Sequence, residues 1–237
     1  MGRGLAWIAI AVLVLSAIAF VKLASAEPTG GTVNVIGSSR KSAASPGSTA
    51  VAAGNVTEVT ISGTTVTQSW AGFYGNVTGT IVLADSNDNT FYDWSVTSPQ
   101  GEVYASRSNS ITWSNIQCAS DTEIATENTN LNMGSAADNI TNTFNQQSHP
   151  AFYVGTVSIA ANTCKSTNAY NESGSQNSDF YNVLLSDGSN IVYTAILEQD
   201  ANNFKGTTSD FELLVGEDGH GAAGGTTTTY YFWVEIE

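Results

Sequence analysis

From Val56 to the C-terminus, apolar and polar residues alternate with period two, and clusters of Gly, Asn, Asp and Ser break the pattern at roughly eight- to twelve-residue intervals. This alternation constrains the fold more than any other feature. A strand turns successive side chains to opposite faces, so each segment offers one face to a core and the other to water. Many short strands at such spacing predict an all-β fold, an antiparallel β-sandwich spanning residues 55–237. In the last segment Tyr230, Phe232, Val234 and Ile236 share one face. Three hairpins are expected: 81–83 with 91–96, 183–185 with 191–197, and 211–215 with 227–236 around a Gly-rich loop. Asp, Asn and Gly at the reversals tolerate the left-handed backbone of tight turns. The alternation lapses near 119–150, which predicts an irregular insertion with one short helix within 136–147.

Residues 27–54 have a different character. After a β-like stretch at 32–36, residues 37–54 are rich in Ser, Ala and Gly and contain Pro46. Such a segment buries too little apolar area to offset its ordering entropy, so it is expected to be a linker or stalk, with Arg40-Lys41 solvated and open to proteolysis.

Ahead of it lies an N-terminal hydrophobic helix within 1–26: Arg3, then an uncharged apolar run from Leu5 to Val21, then the small-x-small site Ala24-Ser25-Ala26. Three readings stand. The order suits a signal peptide cleaved after Ala26. A retained membrane anchor is the second, since the run is at the lower limit of bilayer-spanning length. Thirdly, Arg3-Gly4-Leu5-Ala6 resembles the processing site of archaeal type IV pilins and archaellins. That resemblance implies cleavage after Gly4 and an apolar helix retained in a filament core, although Pro28, Gly30 and Gly31 end the helix early.

Seven Lys and Arg stand against twenty-one Asp and Glu, a net charge of −14 and a pI near 4.2. This excludes nucleic acid as a partner, because such affinity comes from neutralising phosphates. An anionic membrane surface is excluded on the same ground, leaving membrane contact only to the N-terminal apolar segment. With charged residues at 12%, and Ser, Thr, Asn and Gly in their place, the composition is that of an exported β protein at the cell surface.

In an oxidising compartment Cys118 and Cys164 are expected to pair and to clamp the insertion at both ends. N-glycosylation sequons begin at Asn55, Asn76, Asn139 and Asn171, a number that chance also delivers in so Asn- and Thr-rich a chain. The only histidines are His149, before Pro150 and expected to be structural, and His220. The run Glu217-Asp218-Gly219-His220-Gly221 reads as a turn, with a metal ligand or base as the other reading. No nucleophile elbow, phosphate loop or zinc-protease motif occurs, so no catalytic residue and no enzyme is expected. Calcium is the one cofactor the sequence suggests, at Asp85, Asn87, Asp88 and Asn89, where oxygen ligands crowd around Ser86. The competing reading is an ordinary hairpin turn. Trp70, Trp94, Trp113 and Trp233 would suit a sugar-stacking platform, but strand parity favours core packing for Trp94 and Trp233.

The runs 70–81 (Trp70-Ala71-Gly72-Phe73-Tyr74-Gly75-Asn76-Val77-Thr78-Gly79-Thr80-Ile81) and 210–221 (Asp210-Phe211-Glu212-Leu213-Leu214-Val215 through His220-Gly221) resemble a family of secreted β-rich archaeal surface proteins. The resemblance implies a cell-surface location and carries over no catalytic residue. Two function classes follow. One is a non-enzymatic structural or assembly protein, a pilus-like filament subunit or envelope component that self-associates or packs against neighbouring surface proteins. The other is an adhesin or glycan-binding module. For assembly, the strand 227–236 is expected to pair with a neighbour's sheet if it lies at an edge, with Glu235 and Glu237 guarding it.

Overall fold

A computed structural model describes residues 27–96, 98–218 and 227–237. The apolar run, the Ala24-Ser25-Ala26 site, Arg3-Gly4 and His220 lie outside the described residues, and with them the N-terminal helix and the His220 turn.

The chain begins with β1 (Thr29–Gly30), and residues 31–69 carry no strand and are exposed almost throughout. There follow β2 (Trp70–Gly75), β3 (Thr80–Ala84), β4 (Thr90–Ser95), β5 (Gly101–Ser106) and β6 (Gln117–Cys118). Two helices come next, α1 (Asp121–Asn130) and α2 (Ile140–Thr143). Then come β7 (Phe152–Val154), β8 (Val157–Ile159), β9 (Ser166–Tyr170), β10 (Gln176–Ser186) and β11 (Ile191–Ile196). The chain ends with β12 (Ala201–Asn202), β13 (Thr208–Ser209), β14 (Phe211–Gly216) and β15 (Tyr231–Ile236). All described strand pairs are antiparallel, and the protein is mostly β.

A seven-stranded sheet in the order β1-β15-β5-β11-β10-β6, with β9 also on β10, forms the frame. It is apolar on both faces. On one, Val103, Ala105, Leu184, Tyr193 and Ala195 meet Leu213 and Val215 of the β2–β14 ribbon and Ile124, Ile140 and Phe144 of the helical segment. On the other, Tyr104, Val183, Leu185 and Val192 meet Phe152, Val154 and Ile159 of the β7–β8 hairpin. Burial of these side chains, at roughly 1.5–3 kcal/mol each, is the main stabilising term.

Gly101 lets the two strands that meet at the C-terminus lie close. Its φ is +118°, and a Cβ there would stand 2.2 Å from the carbonyl oxygen of Glu235. Only glycine adopts that backbone and leaves that space free.

Several expectations need correction. The 211–215 and 227–236 segments do not form a hairpin, because β14 pairs with β2 and β15 lies between β5 and β1. Non-local apolar surface decides this pairing. The stretch 32–36 is not a strand; pairing occurs earlier, with Thr29 opposite Val234 and Gly30 opposite Trp233, and Pro28 is buried. Within 136–147 the helix is one turn, while the longer α1 lies upstream, started by a capping box in which Ser120 and Glu123 exchange hydrogen bonds.

Candidate functional site

Strands β3 and β4 make a hairpin that stands apart from the main sheet and pairs with nothing else described. Its register sets Ile81 opposite Trp94 and Leu83 opposite Tyr92. Directly opposed residues share a face, so these four side chains form one apolar surface. All four are exposed, at 42% for Ile81, 52% for Leu83, 57% for Tyr92 and 49% for Trp94. The rings of Tyr92 and Trp94 are 4.9 Å apart. Phe91 and Val82 are exposed as well. The root of the hairpin is seated where Gly79 meets Ile236, since a Cβ on Gly79 would stand 2.3 Å from Ile236 Cδ1. Exposed apolar residues scattered singly are ordinary, whereas a contiguous set on an isolated two-stranded ribbon marks a contact surface. Core packing of Trp94, expected from parity, does not occur: the alternation is real, but among the described residues the apolar face is left exposed.

The tip of this hairpin is the run proposed for calcium. Asp85 Oδ1 accepts the backbone N–H groups of Asn87 and Asn89, each at 2.9 Å, and Oδ2 accepts from Asn89 Nδ2 at 2.8 Å. These donors hold the Asp85 carboxyl below its ordinary value. Asp88 takes the left-handed backbone the reversal requires, with φ +63°. The Asp85 carboxylate is thus engaged in turn formation. Among the described residues, no group of three or more His, Cys, Asp or Glu is placed to hold a metal ion.

A second polar cluster is internal. Glu102 on β5 and Glu235 on β15 are directly opposed, and both are buried. The hydroxyl of Tyr104 lies 2.8 Å from Glu235 Oε2 and 3.2 Å from Glu102 Oε2. The N–H of Gly155 donates to both oxygens of Glu235, at 2.9 and 3.1 Å. Trp113 packs on Tyr104 and Trp233 on Trp113, closing the cluster over. Desolvation, reinforced by the charges of Glu235 and Glu237, pushes the Glu102 carboxyl up to about 9, so it is protonated at neutral pH. Glu235 therefore does not guard an edge; it points inward from a strand covered on both sides.

Cys118 and Cys164 form a disulfide across 46 residues, with Cα atoms 4.9 Å apart. It joins β6 to the loop before β9 and spans the helical segment. His149 braces that junction: its Nε2 accepts the N–H groups of Thr163 and Cys164 at 3.2 and 3.0 Å. Nδ1 carries the proton and donates to the carbonyl of Pro150 at 2.7 Å.

Of the sequon residues, Asn55 and Asn76 are exposed, and Asn171 is half-buried in a turn where its Oδ1 accepts from Ser173. Asn139 is the N-cap of α2; its Oδ1 accepts from Asn142 N–H at 2.8 Å and its Nδ2 donates to the Gly134 carbonyl at 3.1 Å. In this fold a glycan at Asn139 would have to displace that cap. Trp70, packed on Phe144 and Tyr193, and Trp113, packed on Trp233, share no surface with Trp94. In the cleft of about 440 Å³ beside α1, Arg107 is held in a two-pronged ion pair with Glu127.

Comparison of the chain with protein-family models, with curated proteins and with solved structures finds no match.

Proposed function

We propose that this chain is a non-enzymatic structural or assembly protein of the cell surface, exported by its N-terminal segment and packed against copies of itself or neighbouring surface proteins through the β3–β4 hairpin. The observation that carries the reading is the exposed face of Ile81, Leu83, Tyr92 and Trp94. On this reading the folded part is a β-sandwich domain, the Ser-, Ala- and Gly-rich residues 37–54 are its stalk, and the disulfide keeps the domain closed outside the cell. Exposed Asn55 and Asn76 suit surface glycosylation, and the resemblance to secreted archaeal β-rich proteins supports the location. Contact with the membrane falls to the N-terminal segment alone.

The adjacent rings of Tyr92 and Trp94 favour one other reading, a glycan-binding module, because exposed aromatic faces stack on sugars. Light scattering and electron microscopy of the native surface material separate the two. Assembly predicts polymers or stable oligomers that Leu83→Lys disperses without lowering thermal stability. A protein that stays monomeric in every preparation, and binds a defined glycan through Trp94, would replace this reading with the second.

A further inference from the structure

Within residues 55–237 the Lys and Arg side chains are Arg107, Lys165 and Lys205 alone. Among the described residues Arg107 pairs with Glu127 and Lys165 with Asp121, and no ion pair takes Lys205. The Lys205 ammonium instead lies 4.7 Å from the centre of the Tyr74 ring and 5.5 Å from that of Phe204. The two rings meet edge to face at 5.1 Å, and both are exposed. Lys205 Nζ also donates to the Tyr74 hydroxyl. The patch is held from beneath. Asn203 is buried; its Oδ1 accepts from Lys205 N–H at 2.9 Å and its Nδ2 donates to Ser209 Oγ at 2.7 Å. Glu212, directly opposite Tyr74, accepts from Phe204 N–H at 2.9 Å. Neither Glu212 nor Glu172, which lies against Gly206, forms an ion pair with Lys205. Lys205 is thus an exposed cation fixed over two rings.

The β3–β4 hairpin has the converse composition. Residues 80–95 hold Asp85, Asp88 and Asp93, several exposed apolar side chains and no Lys or Arg. Asp85 is engaged by the turn. Asp93 stands opposite Val82 in the register, so the two share the face turned away from Ile81, Leu83, Tyr92 and Trp94. Both are exposed, and among the described residues no ion pair takes Asp93.

We propose that the hairpin of one copy docks on the Lys205–Tyr74–Phe204 patch of a second copy, with the Asp93 carboxylate against the Lys205 ammonium. The inference rests on the assembly reading and names the surface that receives the hairpin. A chain of net charge −14 repels itself, so its association needs a place where opposite charges meet. In the folded part the cation outside the ion pairs is Lys205, and the hairpin brings carboxylates together with apolar area. The rings under the ammonium and Val82 beside the carboxylate shield the pair from water, which strengthens it beyond an ordinary surface ion pair. The apolar face of the hairpin supplies contact area, and the charge pair selects where on the neighbour it lands. Because the two surfaces differ, each added copy leaves one of each open, and the contact repeats head to tail.

The test follows self-association of the full chain by light scattering at low salt, where charge effects are least screened. Lys205→Glu and Asp93→Lys are each expected to weaken association about tenfold, through like charges brought face to face. Thermal unfolding is expected to be unchanged, since both side chains are exposed. Mixed in equal amounts, the two variants are expected to recover the association of the unaltered chain, because each offers the charge that the other lacks. Carbodiimide coupling of a mixture of isotope-labelled and unlabelled chains is expected to join Lys205 of one copy to Asp93 of another. Full-strength association of either variant alone, no recovery on mixing, or coupling of the two residues only within one copy overturns the proposal. Leu83→Lys separates this outcome from failure of the assembly reading. If Leu83→Lys disperses the assembly and Lys205→Glu does not, the hairpin docks elsewhere and this proposal alone fails; an unaltered chain that never self-associates removes both.

Discussion

Glu102 and Glu235 lie directly opposite each other on adjacent strands, with the hydroxyl of Tyr104 within hydrogen-bonding distance of both. The Tyr104 hydroxyl donates to both, at 2.8 Å to Glu235 Oε2 and at 3.2 Å to Glu102 Oε2. Burial beside Glu235 and Glu237 keeps the Glu102 carboxyl protonated at neutral pH.

That proton makes stability depend on pH. Glu102 has an ordinary value of 4.5 and is raised to about 9 in the folded chain, so between these values the native state holds a proton that the unfolded state has released. Stability therefore falls as pH rises from about 4.5 towards about 9, by at most about 1.4 kcal/mol per pH unit, and levels off above. The contribution is complete below the lower value. Glu198 and Glu212, also raised by burial, act in the same direction. Denaturant titrations across this range are expected to show the decline, and Glu102→Gln is expected to flatten most of it.

The disulfide contributes chiefly by shortening the unfolded chain's reach. A closed loop of 46 residues corresponds to about 4 kcal/mol on the chain-entropy model. Cys118→Ser with Cys164→Ser is expected to lower the unfolding free energy by about that amount in urea titrations. A thiol assay on unfolded, unreduced native protein is expected to find no free thiol.

His149→Leu removes the acceptor of two backbone N–H groups while keeping an apolar side chain in place. A buried donor left without a partner costs about 1–3 kcal/mol, and of the two only Cys164 is buried, Thr163 being exposed, so a loss of about 1–3 kcal/mol is expected from denaturant midpoints, with the disulfide still formed.

Gly101→Ala is expected to cost about 2–4 kcal/mol by the same measurement. The added methyl meets the Glu235 carbonyl, and an L residue at φ +118° is strained in any case. Gly134→Ala tests the packing part of this argument, because its φ is also positive, +47°, but a Cβ there has nothing within 4 Å.

The all-β character, the 81–96 hairpin and the 183–197 hairpin were legible because both signals are local: alternation, and turn residues such as Asp85 and Gly188. The partner of β14 was not legible. Phe211 pairs with Gly75, and nothing near either residue records the other. Helix α1 carries few apolar residues, which hid its periodicity, yet Ser120 followed by Glu123 was a start signal open to recognition. The parity that placed Trp233 inward was correct, and Glu235 shares that parity. Its charge pointed to solvent, whereas Tyr104 and Gly155 supply the hydrogen bonds that permit its burial. Trp94 shows the opposite failure, since alternation reveals an apolar face without revealing whether anything lies on it. The pairing of the two cysteines followed from their number and needed no geometry.

Thr29 Oγ1 donates to the carbonyl of Val234, joining residues 205 positions apart. One margin of the main sheet is therefore stitched from the two ends of the described chain, with the last-made strand lying inside the first. Until β15 has been synthesised this margin cannot form, β5 has one open side and Glu102 lacks its opposite carboxyl. Long-range closure of this kind is slow. The margin of the main sheet consequently closes only after β15 has been made, and β1, made long before it, waits for that strand.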